Sequence, residues 1–167
     1  MNRLILLRHG EAERDAASGD DFDRHLTARG WREAEGAAIA LAAESIRPVL
    51  ALVSSAPRAL ETWRACEPAF PNAREQIEPA LYSVDAAGIR RLAEAAGVVS
   101  GAVMVVGHNP GVQDLAVQLL AEGSAPPSEI ARMERRFPTG AAAVFAFHDD
   151  GAPVFEGLFL APPGIAE

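Results

Sequence analysis

Runs of consecutive apolar residues recur along this chain, each followed by a polar turn and then by apolar residues at helical spacing. The first run, Leu4-Ile5-Leu6-Leu7, suits a strand buried on both faces, as at the centre of a parallel sheet. Val49–Val53 and Ala102–Val106 read the same way, and Gln76–Leu81 is a weaker strand. Ala141–Phe147 and Val154–Leu160 are apolar strands joined by the hairpin signal His148-Asp149-Asp150-Gly151. Thr27 is a good N-cap for a helix over 28–44, with Trp31, Ala34, Ala38 and Leu41 on one face, and Trp31 is expected in the core. Pro57 suits the first position of a second helix. Ser83 or Asp85 caps a third, which carries Ile89, Leu92, Ala93 and Ala96. Asn109 and Pro110 form the N-cap and first-position pair of a fourth, with Val112, Leu115, Ala116, Leu119 and Leu120 inward. Ser128 can cap a short fifth, with Met133 and Phe137 inward and Arg132, Arg135 and Arg136 outward. This alternation predicts an α/β fold: a three-layer α/β/α sandwich, its sheet mostly parallel with an antiparallel C-terminal edge. No repeat or linker divides the chain, so residues 1–167 are expected to form a single domain.

Composition narrows the classes. The apolar fraction of 49% and charged fraction of 23% are those of a soluble globular protein. No apolar run is long enough to span a bilayer, and Arg8 and His9 interrupt the first run too early for a signal peptide. A cytoplasmic location is the default. The net charge of −8 argues against a general nucleic-acid binder. All 15 basic residues are arginine, which excludes Schiff-base chemistry on lysine and a Walker-type phosphate loop. Cys66 is the single cysteine, so neither an internal disulfide nor a thiolate metal site is available, and it reads as an inert buried thiol.

The candidate chemistry lies where strands end. Arg8-His9-Gly10 follows the first strand directly, at the place where open α/β sheets bind ligands. Arg8 offers a fork of donors matched to phosphate oxygens, and His9 can bind, relay a proton or act as nucleophile. Gly107-His108-Asn109-Pro110 repeats the arrangement after the strand 102–106. Arg58 falls in the first turn of the helix after the second strand, where it is either a solvent-exposed arginine or an anion ligand at a helix N-terminus. Together Arg8, His9, Arg58 and His108 describe a pocket for a dianionic phosphoryl group. No histidine and carboxylate spacing resembles a metal site, so no metal or other cofactor is expected. His25 and His148 sit in polar loops and are expected to play no catalytic part. The acidic loop 11–26 is either a solvated surface or a rim that screens substrates by charge.

Leu7-Arg8-His9-Gly10-Glu11, Ser55-Ala56-Pro57-Arg58-Ala59-Leu60-Glu61-Thr62 and Gly107-His108-Asn109-Pro110 resemble the three signature segments of the histidine phosphatase superfamily, the phosphoglycerate-mutase-like group. Asp23-Arg24-His25-Leu26-Thr27-Ala28-Arg29-Gly30 and Phe137-Pro138-Thr139-Gly140-Ala141 resemble further segments of its small bacterial members. The short length, without a large cap insertion, looks most like the SixA-type phosphohistidine phosphatases. The resemblance implies that His9 is the nucleophile and becomes phosphorylated. Arg8, Arg58 and His108 would hold the equatorial oxygens, Asn109 would help shape the substrate pocket, and water would then release phosphate.

One departure bears on the substrate. Most members carry a glutamate just after the third strand as general acid for the leaving alkoxide. Here that stretch reads Pro79-Ala80-Leu81-Tyr82-Ser83-Val84-Asp85. Glu78 and Asp85 are nearby, but strand and cap roles explain them more simply. An alkoxide leaves badly without a proton, whereas an imidazole, with a pKa near ~6.5, needs far less help. The expectation is therefore a phosphohistidine phosphatase acting on a phosphorylated protein, such as a histidine-containing phosphotransfer domain. The alternatives are a phosphatase of a small phosphomonoester or nucleotide, and a non-catalytic phosphate-binding module.

Overall fold

The computed structural model describes residues 1–162. The strands β1 (Arg3–Arg8), β2 (Pro48–Val53), β3 (Arg74–Ile77), β4 (Ala102–Gly107), β5 (Ala142–Phe147) and β6 (Pro153–Phe159) form one sheet in the order β3-β2-β4-β1-β5-β6. β3, β2, β4 and β1 are parallel; β5 pairs antiparallel with β1, and β6 antiparallel with β5. The helices are α1 (Ala28–Ala43), α2 (Pro57–Cys66), α3 (Ala86–Ala95), α4 (Gly111–Glu122) and α5 (Pro127–Arg135).

The side-chain alternation of a strand sends the apolar interior of β1, Leu4 through Leu7, to both faces of the sheet. Leu4 and Leu6 pack on one face with Val103, Val105, Ile89, Leu115 and Phe137, under α3, α4 and α5. Ile5 and Leu7 pack on the other with Leu41, Trp63, Cys66 and Met104, under α1 and α2. A sheet covered on both sides leaves a central strand no polar position, and Leu4 through Leu7 are fully buried. The expected three-layer sandwich with its antiparallel C-terminal edge is the observed fold. Cys66 is buried as expected, and burial pushes its thiol up to about 12. Among the described residues no helix is long and apolar enough to cross a membrane.

Three local expectations are corrected. Trp31 is 38% exposed rather than in the core. The inward positions of α1 are Gly30, Glu33, Ala34, Ala37, Ala38 and Leu41. Its first turn packs on the backbone of Glu11, so that a Cβ on Gly30 would strike the Glu11 carbonyl. That contact rotates the inward face away from position 31. The third strand is Arg74–Ile77 rather than 76–81, an exposed edge. Glu78 donates its N–H to Val53 O, and Pro79, with no N–H to offer the ladder, then starts a 3-10 turn over Pro79–Tyr82. Ser128 lies inside α5 instead of capping it, because Pro126 occupies the cap position and Pro127 the first turn.

Candidate active site

Three adjacent strands deliver the site to one rim. Arg8 pairs with Gly107 at the last rung of β1 and β4, and His9 N–H donates to Gly107 O at 3.0 Å. On the other side of β4, Ser54 N–H donates to Val106 O at 3.0 Å. Arg8, His9, Ser54 and His108 therefore emerge side by side at the carboxyl ends of parallel strands. The turn before β5 closes over them. Gly140, at φ +69°, donates its N–H to Arg8 O at 3.1 Å and His9 O at 3.0 Å, in a conformation that side-chain-bearing residues rarely adopt.

His9 is held as a neutral imidazole. It is 8% exposed, and its Nδ1 lies 2.7 Å from Gly10 O. A carbonyl only accepts, so Nδ1 carries the hydrogen and Nε2 keeps its lone pair. Burial pushes the His9 pKa down to about 4; the Gly10 carbonyl opposes the shift, and the charges of Arg58 and Arg8 reinforce it. His108 stands with its ring centroid 5.1 Å from that of His9, and its Nε2 is 2.8 Å from Ser54 Oγ. Burial, then the proximity of His9 and Arg58, push its pKa down to about 3.

The arginines are fixed by backbone as well as by charge. Arg8 Nη1 donates to Phe137 O at 2.8 Å. Arg58 is 4% exposed, which settles its alternatives against the solvent-facing one. Its Nη1 donates to Asp21 O at 2.8 Å and its Nη2 to Asp21 Oδ2 at 3.1 Å. The acidic loop thus packs on the site through Asp21, whose carboxylate also accepts from the Tyr82 hydroxyl at 3.0 Å. Thr62 joins the two arginine-bearing segments: its Oγ1 donates to Arg58 O at 2.7 Å and accepts from Gly10 N at 3.0 Å. Pro57 opens α2 with no side-chain cap on its free amides, beside the same rim.

Arg8 Nε, Arg58 Nε and His108 Nδ1 are buried without a hydrogen-bond partner among the described residues. Buried polar atoms left unpaired are costly and few. Two cationic forks and two neutral imidazoles around them suit a tetrahedral dianion, whose oxygens accept several donors at once. Among the described residues no group of three or more histidine, cysteine, aspartate or glutamate side chains is arranged to hold a metal ion.

Arg8, His9, Arg58 and His108 are brought together as the sequence reading expected. Asn109 sits at the same rim, but its capping role is corrected. Its Nδ2 donates to Gln113 Oε1 at 2.9 Å, its Oδ1 is buried unpaired, and Pro110 takes the cap position of α4. Asp85 caps α3 as expected, accepting from Gly88 N, whereas Glu78, expected in the third strand, lies just beyond it and accepts from Ala80 N. His25 pairs with Glu61 at 2.7 Å, which raises its pKa. Sequence reasoning assigned no site role to Ser54, Thr62, Tyr82 or Asp21. For Ser54 the available signal was its position directly after a buried strand, and for Thr62 its spacing of one helical turn from Arg58.

A family model described as the histidine phosphatase superfamily (branch 1) matches residues 4–96. No curated protein matches the chain in sequence. Among solved structures, the candidate phosphohistidine phosphatase SixA of Agrobacterium tumefaciens is 31% identical, with 96% of this chain and 98% of that one covered and a TM-score of 0.81. Its counterpart from Nakamurella multipartitia is 25% identical over 94% of each chain, with a TM-score of 0.80. The protein histidine phosphatase SixA complexed with tungstate is 26% identical over 95% of this chain and 97% of that one, with a TM-score of 0.71.

Proposed function

This chain belongs to the histidine phosphatase superfamily, and we propose that within it the protein dephosphorylates phosphohistidine on a protein substrate, with His9 as nucleophile. The Nε2 lone pair of His9 attacks phosphorus in line. The substrate ring enters with a proton on its distal nitrogen; the bond from phosphorus to the other ring nitrogen breaks, its electron pair stays on that nitrogen, a neutral imidazole leaves, and phospho-His9 forms. Arg8, Arg58 and His108 donate to the equatorial oxygens and hold the charge as it moves. Water then attacks phospho-His9, the bond to Nε2 breaks, and phosphate leaves with the proton surrendered to solvent. The Gly10 carbonyl holds His9 Nδ1–H throughout, so the same tautomer returns after each turnover. A tungstate complex of a protein with this fold supports the tetrahedral oxyanion.

One observation favours nitrogen as the leaving atom. Of the carboxylates near the leaving-group side, Glu78, Asp85 and Asp21 are already committed. Glu78 and Asp85 accept backbone N–H groups at caps. Partial burial works to raise the Asp21 pKa, but the Tyr82 hydroxyl, Arg58 and Arg24 together hold it below the usual carboxylate range, so Asp21 is ionised and has no proton to give. Without a general acid an alkoxide loses on the order of 10²–10⁴-fold, while a phosphohistidine ring protonated on its distal nitrogen departs as neutral imidazole, a good leaving group. A histidine-containing phosphotransfer domain presents such a group on a protein surface.

Phosphate release from a phosphohistidine peptide, para-nitrophenyl phosphate and an alkyl phosphate tests this directly, with His9→Ala as control. We expect turnover of the first two and none by His9→Ala. Comparable turnover of the alkyl phosphate would overturn the reading in favour of a small phosphomonoester or nucleotide phosphatase. Unchanged phosphate binding with no turnover of any substrate would point to a phosphate-binding module.

A further inference from the structure

We propose that Tyr82, backed by Phe22, is the wall on which the substrate's leaving group packs, and that its aromatic face selects a planar imidazole. The proposal rests on the phosphohistidine reading above. In an in-line transfer the leaving atom departs opposite the nucleophile, with the ligands of the equatorial oxygens between the two. Tyr82 touches two of those ligands. Its ring stands edge-to-face to His108 with centroids 5.5 Å apart, and the Arg58 guanidinium carbon lies 5.7 Å from its centre. His9 packs against His108 at 5.1 Å. The groups therefore run from His9, through His108 and Arg58, to Tyr82, which places the tyrosine on the leaving-group side.

A groove of about 400 Å³ opens there, lined by Tyr82, Val84, Asp85, His108, Pro110 and Asp114. It shares His108 with the phosphoryl site, so on this proposal its occupant is the part of the substrate that carries the phosphoryl group. Tyr82 is held in place at both ends. Phe22 stacks edge-to-face on it at 4.9 Å, and its hydroxyl donates to Asp21 Oδ2 at 3.0 Å. A fixed ring offers an imidazole an edge or offset contact, worth more than its area alone. Asp85 and Asp114 on the groove walls favour a ring that leaves carrying a proton on its distal nitrogen. Tyr82 also lies in the stretch where the resemblance led one to look for a glutamate acid. A flat surface stands there, suited to a leaving group that needs packing more than protonation.

The test compares kcat/KM on a phosphohistidine peptide with kcat/KM on phosphoramidate, which has the same phosphorus–nitrogen bond but no ring. Tyr82→Leu is expected to lose about three- to tenfold on the peptide and less than about twofold on phosphoramidate. Tyr82→Phe, which keeps the ring and loses the hydroxyl, is expected to change either by less than about twofold. Equal losses on both substrates would mean that Tyr82 only positions Arg58 and His108, and would overturn the proposal. So would a Tyr82→Leu enzyme unchanged on both. A wild-type enzyme that hydrolyses phosphoramidate and leaves the peptide untouched would sink the phosphohistidine reading itself, a result distinct from the other two.

Discussion

Lowering the pH should charge the histidines of this protein in an order set by burial. An unfolded chain protonates histidine near ~6.5. In the folded protein, burial first and neighbouring positive charge second push His9 down to about 4 and His108 to about 3. His25, beside Glu61, moves the other way. For His9 the gap amounts to about 3 kcal/mol against the imidazolium. The sign follows from proton counting. Between the two pKa values the unfolded chain binds a proton that the folded one refuses, so stability falls as pH drops from ~6.5 to about 4 and levels off below. Above ~6.5 both states are neutral and the term vanishes. The slope is about 1 kcal/mol per pH unit for each histidine, and because His9 is among the causes of the His108 shift, the two do not add independently. Long-range proton–nitrogen NMR on protein labelled at its four histidines reads charge and tautomer together. His9 and His108 should stay neutral at about pH 5, His9 with its hydrogen on Nδ1, while His25 is already protonated. A His9 that titrates at its ordinary value, or that carries its hydrogen on Nε2, would refute the argument that the fold presents a bare nucleophilic nitrogen.

Two substitutions probe how the nucleophile is held. Thr62→Val removes the acceptor of the buried Gly10 N–H while keeping the side-chain shape, so urea unfolding should show a loss of about 1–3 kcal/mol with a lower kcat, and Thr62→Ser should restore most of both. Glu33→Gln leaves one acceptor oxygen where the carboxylate serves Glu11 N, Thr139 Oγ1 and Arg29 Nε; the melting temperature should fall by the equivalent of about 1–3 kcal/mol, and an unchanged melting curve would show that these contacts carry no weight.

What could be read in the sequence was whatever local chemistry decides. A continuous apolar run has few outlets other than a strand covered on both faces, so β1, β2 and β4 were legible, and with them the rim that carries Arg8, His9 and His108. Thr27 and Asp85 cap as expected because a cap needs only its own first turn. Legibility ended where distant segments meet. Helical spacing could not show that Gly10 and Gly30 pack backbone to backbone, and that contact is what turns Trp31 outward. Nor could charge patterning separate Asp21 from its acidic neighbours, since its role comes from Arg58 and Tyr82, far along the chain. Asn109 carried the right residue type for a cap, but its amide is drawn to Gln113 instead.

The same long-range contacts explain how the geometry of the site is held. Each principal side chain is fixed from a different part of the chain: Arg8 by the carbonyl of Phe137, His108 by Ser54, Arg58 by the loop at Asp21, and the Gly10 turn that orients His9 by Thr62. A neutral imidazole beside two arginines is unfavourable to assemble, because burial strips both cations and imidazoles of water. Hydrogen bonds from distant segments offset that cost in the folded sheet. The side chains of Arg8, Arg58 and His108 are thereby fixed at one rim before a phosphoryl group arrives. Little reorganisation remains for the chemical step, which is the condition under which fixed donors stabilise a developing charge most strongly.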